Sequence, residues 1–337
     1  MKPGRLLWRR KKLRTYSKLV GGILAVAIAV SGSATIATAA NIAVIAGKPD
    51  DTFWQPVKKG VDDARKVVEL TKGTVSFLQL ANYDNLGPDA ANMVRTAVSQ
   101  GVDGIVVANW VPDAMDAAIK DAIGKGVKVI LYNAGNIDKA RELGAMNYVG
   151  SDEYVAGEAA GKYFFDKGFK NVLCVNHVPG SFPLEQRCKG VVDAISPKGG
   201  KSKQLPLPST QSDNAAAVAQ AIKATLLTDP TIDAILTLNP AVADWAASGI
   251  MQAGMNGKVA LGSFDMNEAG LGRIKAGSQT FAIDQQPYLQ SYLAVSLMNS
   301  YLEYGLELPT SPILTGPGFV DSANIDATLA GVQKGAR

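Results

Sequence analysis

Apolar segments of strand length alternate with amphipathic segments of helix length along most of the chain. In the first half, strands are predicted at residues 41–47, 74–80, 104–108, 127–132 and 148–149. Helices are predicted between the first four of these strands, near residues 53–70, 88–100 and 112–124. Short strands that alternate with longer helices predict βαβ units and a parallel sheet.

The same alternation begins again after residue 150. Helices are predicted at residues 153–165, 184–195, 214–227, 241–253 and 268–275, and strands at residues 171–175, 234–238 and 259–262. Residues 196–209 contain three Pro and two Gly, and they predict an irregular connection with room for one short edge strand. Two such series predict an α/β fold with two doubly wound parallel-sheet lobes.

The N-terminal segment has the three regions of an export signal. Residues 1–40 contain eight basic residues and no acidic one, residues 19–30 are apolar, and Ala37-Thr38-Ala39 fits the small-x-small cleavage pattern. We predict a signal peptide over residues 1–40, cleaved near Ala39 or Ala40, and a mature protein in the periplasm. The alternative is an uncleaved membrane anchor, because residues 19–40 are nearly long enough to span a bilayer.

Removal of this segment reverses the charge balance. The basic residues fall from 34 to 26 against 30 acidic residues, so the net charge changes from +4 to −4. The mature sequence has no run of Lys and Arg with interleaved aromatics, and this argues against nucleic acid as a partner.

Cys174 and Cys188 are the two cysteines of the sequence. In an exported protein they are predicted to form a disulfide, and two separate buried thiols are the alternative. Closing a loop of this length is worth about 3 kcal/mol in the chain-entropy model.

The sequence lacks the motifs of the common enzyme classes. His177 is the single histidine, which excludes HExxH and multi-histidine metal sites. There is no G-x-S-x-G elbow, no G-x-G-x-x-G after a strand, and the Gly-Gly-Lys-Ser at residues 199–202 lacks the first half of a phosphate loop. We therefore expect no catalysis, no metal and no cofactor.

Several segments resemble, in order along the chain, the type I periplasmic binding proteins of ABC importers, in particular the ribose-binding-like sugar receptors. They are residues 42–54, 101–109, 148–157, 262–265, 274–277 and 283–288. The resemblance implies two lobes joined by three crossovers. It places the N-terminal lobe at residues 41–150 plus 286–313 and the C-terminal lobe at residues 151–285 plus 314–337.

The resemblance also implies a set of ligand-binding residues. Phe53 and Trp54 match adjacent rings that stack on a sugar, and Arg187 matches a guanidinium that binds sugar oxygens. The hydroxyl-binding positions correspond to Asp51, Asn133, Asn239, Asp265 and Gln285, with Phe264 beside them. Planar polar groups can each engage two adjacent hydroxyls, and aromatic faces cover the apolar surface of a sugar ring. We expect Arg187 and Asp265 to contribute more to binding than to folding.

Three positions depart from the pattern of this family. Asn133-Ala134 stands where many sugar receptors have Asp-Arg, no aromatic occurs at residues 211–213, and Lys48 replaces a small polar residue. These departures favour a linear polyol or a modified sugar over ribose as the ligand.

Some of these residues have a purely structural alternative. In this alternative, Arg187 is a charged residue on the surface of a helix, Asp265 is a helix N-cap, and Asn239 is a turn residue before Pro240. Phe53 and Trp54 are adjacent, so at least one of them is expected to face the cleft. His177 and Trp110 fit a structural role as well as a ligand contact.

The implied function is to bind a sugar or polyol in the cleft between the lobes and to deliver it, as a monomer, to the membrane subunits of an ABC permease. A sensor partner that presents ligand to a chemoreceptor or kinase is one alternative, and an exported hydrolase is another. A regulator of the lac-repressor type is disfavoured, because an export signal occupies the end where such regulators carry a helix-turn-helix.

Overall fold

The computed structural model describes residues 39–337, and within that range the chain forms two six-stranded sheets. The strands are β1 (Asn41–Ala46), β2 (Thr74–Gln79), β3 (Gly104–Val107), β4 (Lys128–Tyr132), β5 (Tyr148–Ser151), β6 (Asn171–Asn176), β7 (Lys201–Pro206), β8 (Ala234–Thr237), β9 (Ala260–Phe264), β10 (Phe281–Asp284), β11 (Ile313–Gly316) and β12 (Gly318–Val320). The predicted signal peptide lies outside the described residues, apart from Ala39 and Ala40.

Helices cover the faces of both sheets. They are α1 (Trp54–Leu70), α2 (Leu86–Ser99), α3 (Pro112–Gly124), α4 (Ile137–Leu143), α5 (Glu153–Asp166), α6 (Phe182–Ile195), α7 (Ser209–Ser212), α8 (Ala215–Thr228), α9 (Pro240–Gln252), α10 (Glu268–Lys275), α11 (Pro287–Tyr304) and α12 (Ile325–Gln333). No helix within residues 39–337 combines the length and the apolar character needed to cross a membrane.

The sheet topology confirms the predicted fold class. The first sheet has the strand order β11-β5-β4-β3-β1-β2 and is parallel throughout. The second has the order β12-β10-β9-β8-β6-β7, and β12 is its one antiparallel strand. In the described part of the chain, three connections cross between the sheets, from β5 to α5, from β10 to α11 and from β11 to β12. We refer to the two sheets with their helices as the first and second lobes.

Burial explains why these segments form strands and helices. Residues 42–46 of β1 are fully buried, as expected for a parallel strand that is covered on both faces. In α1 the buried residues Trp54, Val57, Val61, Ala64 and Val68 recur every three or four positions and form one stripe. Parallel strands end at the same edge of a sheet, so the loops after β1, β4, β8 and β9 begin where ligands bind in open α/β folds.

Helix α1 packs tightly against α11. A Cβ added at Gly60 of α1 would lie 2.3 Å from the backbone oxygen of Tyr288, so this approach requires glycine. Ser291 Oγ of α11 donates a hydrogen bond of 2.7 Å to the carbonyl of Val57 in α1.

The elements predicted from the periodic pattern are confirmed, with ends that differ by a few residues. The predicted irregular connection at residues 196–209 contains a 3-10 turn at Ser196–Lys198 and the edge strand β7. The pattern did not indicate the helices α4, α7, α11 and α12 or the strands β10 to β12. Helix α11 buries Gln290, Ser291 and Asn299 beside its apolar residues, and this weakens the hydrophobic period that would have revealed it.

The predicted disulfide between Cys174 and Cys188 is confirmed. It joins β6 to α6, with the two Cα atoms 5.7 Å apart. Both cysteines are buried in the apolar core of the second lobe.

Candidate functional site

A cavity lies between the carboxyl ends of the two sheets and has a volume of about 60 Å³, several times the space that one ordered water requires. All of the residues predicted to bind ligand line it. They are Asp51, Phe53, Trp54, Asn133, Arg187, Asn239, Asp265 and Gln285. Because these side chains come from both lobes, the cavity is formed by the cleft itself.

One wall of the cavity is aromatic. Phe53 directly precedes α1 and Trp54 begins it, and both rings line the cavity, which confirms that at least one of the pair faces the cleft. Trp54 meets Phe53 edge-on with 4.9 Å between ring centroids, and it meets Trp110 edge-on at 5.6 Å. A Cβ at Gly47 would lie 2.0 Å from Trp54 Nε1, so glycine is required for the indole to reach this position.

Asp51 links this wall to the second lobe. Its carboxylate accepts hydrogen bonds from Tyr83 Oη at 2.8 Å, from the backbone N–H of Phe53 at 3.2 Å and from Asn239 Nδ2 at 3.0 Å. Trp54 Nε1 in turn donates to Tyr83 Oη at 2.8 Å. Burial raises the pKa of Asp51, while these hydrogen bonds oppose the rise.

Asn239 has two roles at once. Its Oδ1 accepts from the backbone N–H groups of Ala241 and Val242 and so caps α9, while its Nδ2 donates to Asp51 of the other lobe. The structural alternative for Asn239 as a turn residue is therefore incomplete, because the same side chain contacts the cavity.

Arg187 is buried in the second lobe, at 3% exposure, so its alternative assignment as a surface charge is wrong. Its Nε donates to Glu153 Oε2 at 2.6 Å, Nη1 to the carbonyl of Leu238 at 3.3 Å, and Nη2 to Gln285 Oε1 at 2.8 Å. The guanidinium also stacks on Phe264, with its central carbon 4.1 Å from the ring centroid. Phe264 thus supports Arg187 from outside the cavity lining.

Asp265 and Gln285 continue this network. Gln285 Nε2 donates to Asp265 Oδ2 at 2.8 Å, while Oδ1 of Asp265 is buried with no hydrogen-bond partner among the described residues. Burial raises the pKa of Asp265 to about 8. The alternative role of Asp265 as a helix N-cap is wrong, because Asn267 caps α10.

Asn133 and Asp265 hold equivalent positions in the two lobes. Each directly follows a strand, β4 and β9 respectively, and each has a left-handed backbone with φ of 59° and 56°. Such a conformation is costly for residues other than glycine and is concentrated at functional sites. Asn133 Nδ2 donates to Gln290 Oε1 at 3.3 Å, and Gln290 Nε2 donates to the carbonyl of Gln285.

The cavity also contains residues outside the predicted set. Tyr83, Trp110 and His177 line it together with Leu86, Val178, Ser181, Pro183, Leu184 and Leu238. Trp110 and His177 are the residues for which the sequence left a ligand contact open. Tyr83 was not considered, and its position four residues after β2 is the signal that could have identified it. Burial lowers the pKa of His177 to about 3, assisted by the cations Arg187 and Lys48, and its buried Nδ1 has no hydrogen-bond partner within residues 39–337.

Two of the positions that depart from the family pattern lie close together in the structure. Lys48 lies in the loop after β1, and its Nζ donates to Asp213, which follows α7 in the second lobe. Lys48 is 5% exposed and its ammonium lies 5.2 Å from the ring centroid of Tyr83. An ion pair that joins the lobes therefore involves residues 211–213, the segment in which the family pattern has an aromatic ring and this chain has none.

The donor set does not favour a metal. Within residues 39–337 no group of three or more His, Cys, Asp or Glu side chains is placed to hold a metal ion. The arrangement offers aromatic faces and planar amide, carboxyl and guanidinium groups. It is suited to a small ligand with several hydroxyl groups.

Comparisons with known proteins agree with this geometry. The chain is 34% identical to a carbohydrate transporter from Acidothermus cellulolyticus 11B, whose structure was solved in complex with myo-inositol. The match has a TM-score of 0.80 and covers 89% of this chain and 100% of that one. A solute binding protein of an ABC transporter from Agrobacterium vitis, solved with bound D-fucose, is 26% identical with a TM-score of 0.75 over 87% and 99% of the two chains.

The sequence comparison finds sugar-binding relatives as well. The xylose/arabinose-binding protein of Sulfolobus acidocaldarius is 24% identical over 297 residues, which cover 82% of this chain and 70% of that protein. Residues 42–307 match the family described as periplasmic binding protein domain. The chain therefore belongs to the periplasmic binding protein family, and its predicted function as a solute-binding protein of an ABC transporter is confirmed.

Proposed function

We propose that this protein captures a sugar or polyol in the cavity between its lobes and delivers it to the membrane subunits of an ABC permease. The observation that carries the proposal is the lining of one cavity by two adjacent aromatic rings and six planar polar side chains from both lobes. Relatives that bind xylose, arabinose, myo-inositol and D-fucose support this class of ligand.

The proposed binding residues are Asp51, Phe53, Trp54, Asn133, Arg187, Asn239, Asp265 and Gln285. The ring faces of Phe53 and Trp54 cover the apolar side of the ligand, while the polar groups bind its hydroxyls. Arg187 is especially well suited. Three of its five N–H groups are used by residues within the described range, so one N–H on each Nη is available for two adjacent hydroxyls.

We further propose that the site binds ligand without covalent chemistry. His177 is the single histidine, and its Nδ1 has no partner among residues 39–337 that would orient it as a general base. The protein is proposed to act as a monomer after cleavage of the signal peptide near Ala39 or Ala40. Its lobes are proposed to divide at residues 41–150 plus 286–313 and 151–285 plus 314–337, boundaries that fall within β5 and β11 of the first sheet.

Thermal unfolding of residues 41–337 tests the ligand class. The panel contains myo-inositol, D-xylose, L-arabinose, D-ribose and D-fucose, with amino acids and nucleosides as controls. A ligand at 100 times its Kd should add about 2.7 kcal/mol of stability and raise the melting temperature. A shift with amino acids or nucleosides and none with carbohydrates would contradict the proposal.

A further inference from the structure

Glu153 is a buried acid that contacts the ligand-binding guanidinium from outside the cavity. It is the first residue of α5, directly after the first crossover, and it does not line the cavity. Its side chain is 7% exposed, and its Oε2 accepts from Arg187 Nε at 2.6 Å. Its other oxygen, Oε1, is buried without a hydrogen-bond partner in the described part of the chain.

The contact fixes which edge of the guanidinium faces the ligand. Glu153 holds Nε, while Leu238 and Gln285 each take one N–H of Nη1 and Nη2. The guanidinium plane is further held by the ring of Phe264. The two remaining N–H groups, one on Nη1 and one on Nη2, therefore belong to a guanidinium whose orientation is held by these contacts.

The contact also cancels a charge. A guanidinium stays protonated in proteins, so Arg187 brings a full positive charge into a nearly inaccessible site. Among residues 39–337, Glu153 is the acid that hydrogen-bonds directly to it. Asp265 is linked to Arg187 through the amide of Gln285 and also interacts with it electrostatically, but burial raises the pKa of Asp265 to about 8, so it is mostly protonated at neutral pH. Without Glu153, the free edge of Arg187 would be an uncompensated cation, and a fork of two N–H groups binds a carboxylate at least as well as a diol.

We propose that Glu153 determines the charge class of the ligand: by orienting and neutralising Arg187 from behind, it makes the cavity select neutral polyols over sugar acids. This inference rests on the proposed function as a sugar or polyol receptor. Glu153 is a positioning residue in this role, since it acts through Arg187 and does not itself touch the ligand.

The test measures the ratio of affinities for acidic and neutral probes by calorimetric titration. The neutral probes are myo-inositol, D-xylose and D-fucose, and the acidic probes are D-glucuronate and D-galacturonate. Glu153→Gln keeps an oxygen that can accept from Arg187 Nε but removes the charge. We expect the ratio of acidic to neutral affinity to rise about tenfold to a hundredfold, as an unpaired charge near the ligand would produce at an effective dielectric constant of about 20.

The matched control is Asp152→Asn, which makes the same charge change one residue away. Asp152 caps α5 through an oxygen that asparagine also has, and it does not line the cavity. This variant should leave the ratio unchanged. A similar rise in both variants would show a general charge effect and would overturn the proposal.

A second variant decides the question if Glu153→Gln does not fold. Glu153→Asp keeps the charge but withdraws the carboxylate by one methylene group, so the guanidinium loses its anchor. We expect the affinity for the neutral probes to fall about tenfold, the value of one hydrogen bond to a charged group, while the acidic-to-neutral ratio stays within a few-fold of wild type.

The outcomes separate this inference from the proposed function. Wild-type protein that binds no carbohydrate of either class contradicts both. Wild-type protein that binds sugar acids as tightly as neutral sugars contradicts this inference alone. An unchanged ratio in Glu153→Gln, or an unchanged neutral affinity in Glu153→Asp, overturns it as well.

Discussion

Asp51 and Asn239 belong to different lobes and are joined by a hydrogen bond of 3.0 Å across the cavity. Asp51 lies in the loop after β1, and Asn239 follows β8 and caps α9 with its carbonyl oxygen. The cap fixes the orientation of the amide, so its Nδ2 is directed at Asp51 of the other lobe. A local feature of one helix thereby becomes part of the contact between the lobes.

Substitution at Asn239 should separate these two roles. Asn239→Ala removes both, and we expect a loss of about 1 kcal/mol in the free energy of unfolding together with weaker ligand binding. Asn239→Asp keeps the cap but replaces the donor with an oxygen that faces Asp51, so it should lower the affinity while leaving the cap in place. Denaturant melts and calorimetric titration measure the two effects.

Asn214→Ala is the control for the cap alone. Asn214 caps α8 by accepting from the backbone N–H of Ala217, and it does not line the cavity. Asn214→Ala should lower the free energy of unfolding as Asn239→Ala does, and it should bind ligand with wild-type affinity. If Asn239→Asp binds ligand as tightly as wild type, the hydrogen bond to Asp51 has no role in binding.

Arg187 should matter for folding as well as for binding, which revises the expectation from the sequence. All four of its described contacts lie in the second lobe, so none of them depends on contact with the first lobe. Removing one partner of a buried ion pair costs about 3–5 kcal/mol. We therefore expect Arg187→Ala to lower the free energy of unfolding without ligand by this amount, whereas Arg187→Ala/Glu153→Gln should recover part of it. Equal stability of Arg187→Ala and wild type would contradict a stabilising role of the ion pair between Arg187 and Glu153.

Asp265 should make the stability of the ligand-free protein depend on pH. Its folded-state pKa is raised from 3.8 to about 8, so the folded protein holds a proton that the unfolded chain releases. The stabilising effect of that proton is complete below about pH 4 and is lost as the pH rises toward about 8. The difference in unfolding free energy between wild type and Asp265→Asn should therefore fall over this range.

Denaturant melts at a series of pH values provide the measurement. Asp166→Asn is a suitable control. Asp166 is the exposed last residue of α5, and its hydrogen bond from Lys162 lowers the pKa of its carboxyl group. A difference between wild type and Asp265→Asn that stays constant from pH 4 to pH 8 would show that Asp265 is ionised in the folded protein.

The pair of Lys48 and Asp213 should favour the closed cleft without touching the ligand. Because Lys48 is buried and Asp213 is exposed, the pair is worth no more than about 1 kcal/mol, or several-fold in affinity. Lys48→Met and Asp213→Asn should each weaken binding by up to about fivefold at low salt, by this measure. The difference from wild type should shrink in high salt.

A pair within one helix serves as the control. Lys162 and Asp166 are both exposed and lie on α5, so they do not join the lobes. Lys162→Met should leave the affinity unchanged at every salt concentration. If the ligand affinities of Lys48→Met and wild type depend on salt concentration in the same way, the ion pair of Lys48 and Asp213 does not favour the closed cleft.

The disulfide should stabilise the second lobe. Cys174 and Cys188 are separated by 14 positions, and a loop of this length contributes about 3 kcal/mol when it is closed. We expect Cys174→Ala/Cys188→Ala to lose stability on that order, and thiol titration of the denatured, unreduced wild type to detect almost no free thiol. Two free thiols per chain would contradict the bridge.

The amino-acid sequence by itself determined the class of fold and most of its elements. Buried parallel strands such as β1 are continuous apolar runs, and α1 shows one apolar stripe, so local pattern and burial agree. Residues directly after strand ends are brought together by topology alone, because parallel strands end at one edge of a sheet. Asp51, Asn133, Asn239 and Asp265 were assigned to one site by the family resemblance, and this rule is the physical reason why the fold brings them together.

What only the tertiary structure decided is the partner of each polar group. Glu153 and Arg187 are 34 positions apart, Arg187 and Gln285 are 98 apart, and Lys48 and Asp213 are 165 apart. No local periodicity connects such residues, since their contact depends on how α5, α6 and the crossovers pack. The pKa of Asp265 likewise follows from burial and from neighbours distant in sequence. The sequence, through the family resemblance, therefore identified eight of the residues that line the cavity, and the packing of the lobes set their charge and orientation.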